Sequence, residues 1–244
     1  MAESNPKELI FLGITIYTDK DFTRAKEYFE KACRLNDAEK CKKLAEFYFK
    51  ANDLKKTLKY YSKACKLNNA EGCILSAAFY DGVIKGFKKD KKAFKYYSKA
   101  CELNYGDGCE ILGDIYHHGE GVTQNFKKAF QYYSKACELN EALTCTFVGE
   151  FYRDGEGVAK DLKKAFEYSA KACELNDAKG CYALAAFYNE GKGVAKDEKQ
   201  TKENLKKSCE LGLKEAAIFS KNKNNKIVAL LSPIKQLSFN WSLL

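Results

Sequence analysis

The chemistry that stands out first in this sequence is that of thiols. In KACELNEALTC, residues 135–145, Cys137 and Cys145 have seven residues between them, and the bracket recurs at Cys33 and Cys41, Cys65 and Cys73, Cys101 and Cys109, and Cys173 and Cys181. Ten of the eleven cysteines are used this way, while the last, Cys209, meets Ala217 where its partner should stand. Zinc thiolates come two to four residues apart with a second pair close by. Here seven residues intervene and the only histidines are the neighbours His117 and His118, so no metal is expected. A disulfide needs the two cysteines to face each other across a tight turn. The expectation is one disulfide per bracket, each closing a loop of about nine residues and contributing about 2–3 kcal/mol in the chain-entropy picture, with Cys209 unpaired.

Such brackets need elements that return the chain at fixed intervals. The leading cysteines step by 32 residues once and by 36 residues four times, which is the signature of a stacked repeat. Only Pro6 and Pro233 could interrupt a helix, and the apolar spacing is helical. Cys109, Leu112, Gly113 and Tyr116 form one stripe, and Ala129, Tyr133, Ala136 and Cys137 another. Each unit therefore reads as a helix A, a loop and a helix B, all-α, with pairs near 5–35, 38–67, 70–103, 106–139, 142–175 and 178–211. Asp21, Asp53, Asn125, Asp161 and Asp197 stand where a side-chain oxygen caps the start of helix B. Asn36, Asn68, Asn104, Asn140, Asn176 and Gly212 stand where a left-handed residue ends it. The doublets Gly119/Gly121, Gly155/Gly157 and Gly191/Gly193 turn the chain between helix A and helix B; without a preceding strand they are not a phosphate loop.

Composition narrows the functional classes. Charged residues make up 31% and no apolar run is long enough to span a membrane. The net charge of +9 is spread through every unit without interleaved stacking aromatics. It reads as solvated helix faces, not as a nucleic-acid surface. No cofactor motif is present. Disulfides place the protein outside the cell or in a periplasm, although MAESNPKELIFLG has no signal-peptide pattern. The chain is accordingly read as beginning at a mature end, or as having its start assigned too late.

The spacing of a cysteine, Leu112-Gly113 and Tyr116, repeated as Leu44-Ala45 and Tyr48 and as Leu184-Ala185 and Tyr188, resembles the tetratricopeptide pattern. The GEGV loop followed by KDLKKAFEYSAKACELN, residues 160–176, resembles a Sel1-like repeat, and the bracketed array over about residues 5–217 is similar to the Helicobacter cysteine-rich proteins. That resemblance implies a right-handed α/α solenoid, export, one disulfide per bracket, a role in contact with a host, and penicillin binding or weak β-lactamase activity. The first two units depart from it by lacking the loop insertion, and the third moves its glycines to Gly82 and Gly86. Residues 218–244 match no unit and carry the only tryptophan, Trp241; they read as a foreign or disordered tail.

Two functions remain open at this level. A serine β-lactamase uses Ser-x-x-Lys together with Ser-Asp-Asn and Lys-Thr-Gly. Ser4 with Lys7, Ser220 with Lys223 and Ser232 with Lys235 match the first element, all outside the repeats, and the other elements are absent. Ser62, Ser98 and Ser134 of the repeated YSKAC read as packing residues, so no catalytic residue is assigned. A binding face has more support. Along helix A the positions between the packing ones vary: Lys42, Ile74, Glu110, Thr146 and Tyr182; then Glu46, Ala78, Asp114, Glu150 and Ala186; then Phe49, Asp81, His117, Arg153 and Asn189. Each trio, at i, i+4 and i+7, shares one helix face. By analogy with tetratricopeptide arrays it lines a concave groove for a protein or peptide, a host protein being one candidate and a β-lactam the alternative ligand.

Overall fold

The computed structural model describes residues 22–82, 91–214 and 216. The expected first helix A, the Asp21 cap, the third loop with Gly86, all three Ser-x-x-Lys matches and the tail 218–244 lie outside the described residues. Within them the chain is helical and strand-free: α1 (Phe22–Arg34), α2 (Ala38–Lys50), α3 (Leu54–Lys66), α4 (Ala70–Tyr80), α5 (Lys91–Glu102), α6 (Gly106–His118), α7 (Phe126–Glu138), α8 (Ala142–Asp154), α9 (Leu162–Glu174), α10 (Ala178–Glu190) and α11 (Glu198–Glu210). Odd numbers are B helices and even numbers A helices. Contacts divide the chain into two compact units, Met1–Leu139 and Asn140–Leu244. The first holds α1–α7 and the second α8–α11, and each is a stack of antiparallel helix hairpins.

The turn inside each bracket follows from two adjacent polar residues. At the end of α3, Asn68 has φ +66° and its N–H donates to the Cys65 carbonyl, while the Asn69 N–H donates to that of Ala64. This pair of bonds satisfies carbonyls that the helix would otherwise leave open. Asn69 then starts α4, its Oδ1 accepting from the Gly72 N–H. Asp37 and Asp177 do the same for α2 and α10. A helix ends and another begins within about three residues, so the last turn of one faces the first turn of the next. The cysteines sit on those turns with Cα atoms 4.4–4.7 Å apart, and Cys33–Cys41, Cys65–Cys73, Cys101–Cys109 and Cys173–Cys181 are bonded. Cys137 and Cys145 are also in disulfide linkage, and Cys209 is free. The other expected caps hold as well: Asp53, Asn125, Asp161 and Asp197 accept backbone N–H groups at the starts of α3, α7, α9 and α11.

Contacts between units of the repeat explain residues that a local reading treats as solvated. The lysine of the KAC or KSC triplet reaches back one repeat: Lys63, Lys135 and Lys207 donate at 2.7–2.8 Å to the carbonyls of Cys33, Cys101 and Cys173. Those carbonyls lie at the C-terminal ends of B helices, where the helix dipole is negative and a cation is stabilising. Beside them, Leu67, Leu103 and Leu139 pack on the clusters that contain the Cys33–Cys41, Cys65–Cys73 and Cys101–Cys109 bridges. Lys135→Met should therefore cost about 1.5–3 kcal/mol, the value of a hydrogen bond with a charged partner. Urea unfolding measures it, and Lys95→Met, which removes an exposed lysine of α5, should leave the midpoint where it is.

Aromatic pairs repeat in the same way. Tyr48 stacks on Tyr60, Tyr80 on Tyr96, Tyr116 on Tyr132 and Tyr152 on Tyr168, with centroids 5.5–5.6 Å apart. Lys56, Lys92, Lys128 and Lys164 lie over the first ring of each pair at 4.8–5.2 Å. These lysines and tyrosines join helix A to helix B of one repeat, which accounts for them without a ligand.

Candidate functional site

The face picked out on the A helices is built by geometry that the packing positions fix. Leu44 and Leu112 are fully buried and Leu184 nearly so, which turns the residues between them away from the helix B side. The structure then separates the candidates into different roles. Lys42 and Thr146 are buried and tie one A helix to the start of the next. The Lys42 ammonium pairs with Glu71 and, at 3.2 Å, with Glu39; burial alone would lower it, but these hydrogen bonds outweigh burial and hold it above its ordinary value. Thr146 donates to Asp177 at 2.7 Å. These two positions are struts between repeats, because their polar groups are already satisfied. Ile74, Glu110 and Tyr182, from the same set, remain half-buried.

The second set carries the electrostatics. Glu46 pairs with Lys43 at 3.1 Å. Asp114 accepts from the Tyr133 hydroxyl at 2.7 Å; burial raises its carboxyl, against the pull of that bond and of His118 and His117. Glu150 is raised as well, by burial above all, with Arg153 and Lys179 opposing. It makes no hydrogen bond or ion pair among the described residues. Ala78 and Ala186 leave the same position apolar.

The third set lies at the outer end. Phe49 is 48% exposed, Asp81 is half-buried below the Tyr97 hydroxyl, and Asn189 is half-buried on α10. His117 lies against the rings of Phe126 and Tyr133. Arg153 is held by Asp154 through two bonds of 2.9 and 2.7 Å, which raise it above its ordinary value.

Hydroxyls that could act as nucleophiles are turned to structure. Ser76, Ser169 and Ser208 donate to the carbonyls of Gly72, Ala165 and Ala178. Ser62 accepts from Tyr96 at 3.0 Å, and Ser134 Oγ is buried without a hydrogen-bond partner among the described residues. No group of three metal-ligating side chains occurs among the described residues, nor any helix long and apolar enough to cross a membrane.

The sequence profile described as Sel1 repeat matches residues 8–37, 43–69, 73–105, 106–141, 142–177 and 178–213, which is most of the chain. The chain belongs to the Sel1 repeat family. Two solved Sel1 relatives share its fold: c5321, a protective antigen of uropathogenic Escherichia coli (TM-score 0.77, 26% identity, 88% of this chain and 48% of that one), and a Sel1 repeat protein of Oxalobacter formigenes (0.69, 25%, 90% and 91%). A segment of 56 residues is similar to the putative β-lactamase HcpC of Helicobacter pylori, with 48% identity. That segment is 23% of this chain and spans only 19% of HcpC. The β-lactamase HcpA of Helicobacter pylori is 45% identical over 60 residues, again about a quarter of its length.

Proposed function

We propose that this chain is a disulfide-stapled Sel1 scaffold, working outside the cytoplasm, that holds a protein or peptide segment along the A-helix face. The observation that carries this reading is the contrast along that face. The packing position Leu44, Ser76, Leu112, Val148 and Leu184 is buried in every unit, whereas the position two residues on alternates between acids, Glu46, Asp114 and Glu150, and alanines, Ala78 and Ala186. Within each compact unit, stacked repeats present such a row as a binding surface. The bridges support work in an oxidising compartment, since they persist there and are reduced in a cytosol. A host protein is the partner class that the resemblance to the Helicobacter cysteine-rich proteins implies.

The test is capture of host cell-surface protein by immobilised chain, with Phe49→Ala and Asn189→Ala as a panel. These side chains are exposed or half-buried, so folding should be unaffected while capture falls by about tenfold or more in the affected positions. Capture undiminished across the panel would contradict the reading.

Hydrolysis of penicillin-type β-lactams enters through the names of HcpC and HcpA, whose matched segments are short. In the described array no serine hydroxyl is hydrogen-bonded to a lysine, and a nucleophile without a base within reach has nothing to activate it.

A further inference from the structure

The unit around α8 differs from those around α4 and α6 in one buried side chain, and the difference leaves a carboxylate without a donor. In α3, α5 and α7 the second residue of the tyrosine pair is Tyr61, Tyr97 or Tyr133, each buried. Each of these phenols lies beside an acid of the A-helix face. Burial pushes Tyr61 up to about 12, with Glu46 and Glu71 adding to it; Tyr97 is 3.4 Å from Asp81, and Tyr133 donates to Asp114 at 2.7 Å. In α9 the equivalent residue is Ser169. A Cβ at Gly113 would meet the Tyr133 ring at 2.4 Å, and one at Gly149 would meet Ser169 Oγ at 3.2 Å, so the two residues take the same place against helix A. Ser169 is too short to reach the face, and its hydroxyl is spent on the Ala165 carbonyl. Glu150, the counterpart of Asp114, therefore lacks the phenol that the previous repeat supplies.

Its surroundings do not make good the loss. Arg153, one turn on, is engaged twice by Asp154. Lys179 and Asp177 on α10 act on Glu150 only at a distance, with opposite signs. A part-buried carboxylate without a hydrogen bond has lost hydration that nothing in the fold replaces.

We propose that Glu150 is the point at which the A-helix face takes a cationic side chain, the ammonium of a lysine or the guanidinium of an arginine, from an extended partner segment. This rests on the groove reading above and specifies the chemistry of its occupant. A cation from the partner supplies the donor that Ser169 does not, and a charge pair formed in a desolvated place discriminates strongly against neutral or acidic partners.

The test uses the oxidised full-length chain and fluorescein-labelled peptides of about ten residues in which glycine alternates with lysine, with glutamine or with glutamate. The lysine peptide should bind about tenfold tighter than the glutamine one, and E150Q should remove that preference. The same substitution should raise the melting temperature at neutral pH, since an amide is easier to bury than a carboxylate. That gain should disappear as the pH falls through the raised carboxyl of Glu150, because protonation then neutralises the native residue in its setting of Arg153, Asp154, Asp177 and Lys179. Lysine and glutamine peptides bound equally, or a lysine preference that survives E150Q, would overturn the proposal while leaving the groove reading in place. Failure of every peptide to bind would overturn both.

Discussion

Alanine at both Cys65 and Cys73 lowers the unfolding free energy by about 2–3 kcal/mol. The bridge closes a loop with a sequence separation of 8, so its removal frees the unfolded chain over a short segment only. In a stack where each repeat is held by its neighbours, a loss of that size at one junction is felt along the unit. The helices on either side should survive, because the Asn68 and Asn69 bonds that end α3 and start α4 do not depend on sulfur. Circular dichroism should show native helicity with an earlier urea midpoint. Reduction of the wild-type bridges should be slow under native conditions. Their cysteines are at most 3% exposed, so a reductant must wait for the turn to open. Rapid reduction of the folded chain would contradict this account of the brackets.

Gly193→Ala destabilises by about 2–4 kcal/mol, against about 1–2 kcal/mol for Gly191→Ala. Both residues belong to the loop between α10 and α11 and both have positive φ, +73° and +66°. The difference is what a methyl group would meet. At Gly191 the nearest atom is Lys196 Cβ at 3.4 Å, ordinary contact, which leaves left-handed strain as the main cost. At Gly193 it is the Leu162 carbonyl oxygen at 2.3 Å, part of the first turn of α9. Backbone within a helix cannot step aside as a side chain can, so the loop must lift from the preceding repeat. Chemical unfolding of the two variants separates the causes, and equal losses would show that conformation alone governs this loop.

Much of the fold was legible because its signals are local. The stripe of Cys109, Leu112, Gly113 and Tyr116, the asparagine at the end of each helix B and the cap four residues before its first small position are each contained within one turn or two. The structure places all of these as read wherever it describes them. The turn chemistry is half legible: Asn68 reads as a terminator, but Asn69 does not read as the starter of the next helix. Its signal, a polar side chain three residues before Gly72, was present in the sequence. Contacts between repeats were not legible. Lys135 reaches Cys101 across 34 residues, and nothing around it distinguishes it from the solvated lysines that the composition implied.

The candidate face shows the same division. Helical spacing puts Lys42, Glu46 and Phe49 at i, i+4 and i+7 of α2. Their separate roles depend on residues one repeat away: Glu71 takes Lys42 out of the face, and Asp177 does the same to Thr146. The loss of a tyrosine at Ser169 is visible in the sequence as YSA where α3, α5 and α7 have YYS. It gains meaning only when Glu150 is seen without a partner.

The central claim is that this array holds its partner along the A-helix face. A photo-crosslinking residue placed at Phe49 or Asn189 tests it directly, with Lys95 and Glu167, exposed on the B helices α5 and α9, as counterparts. The account predicts covalent adducts with a captured host protein from the first two positions and none from the others. Adducts formed from Lys95 or Glu167 and not from Phe49 or Asn189 would place the partner on the opposite helices and contradict it.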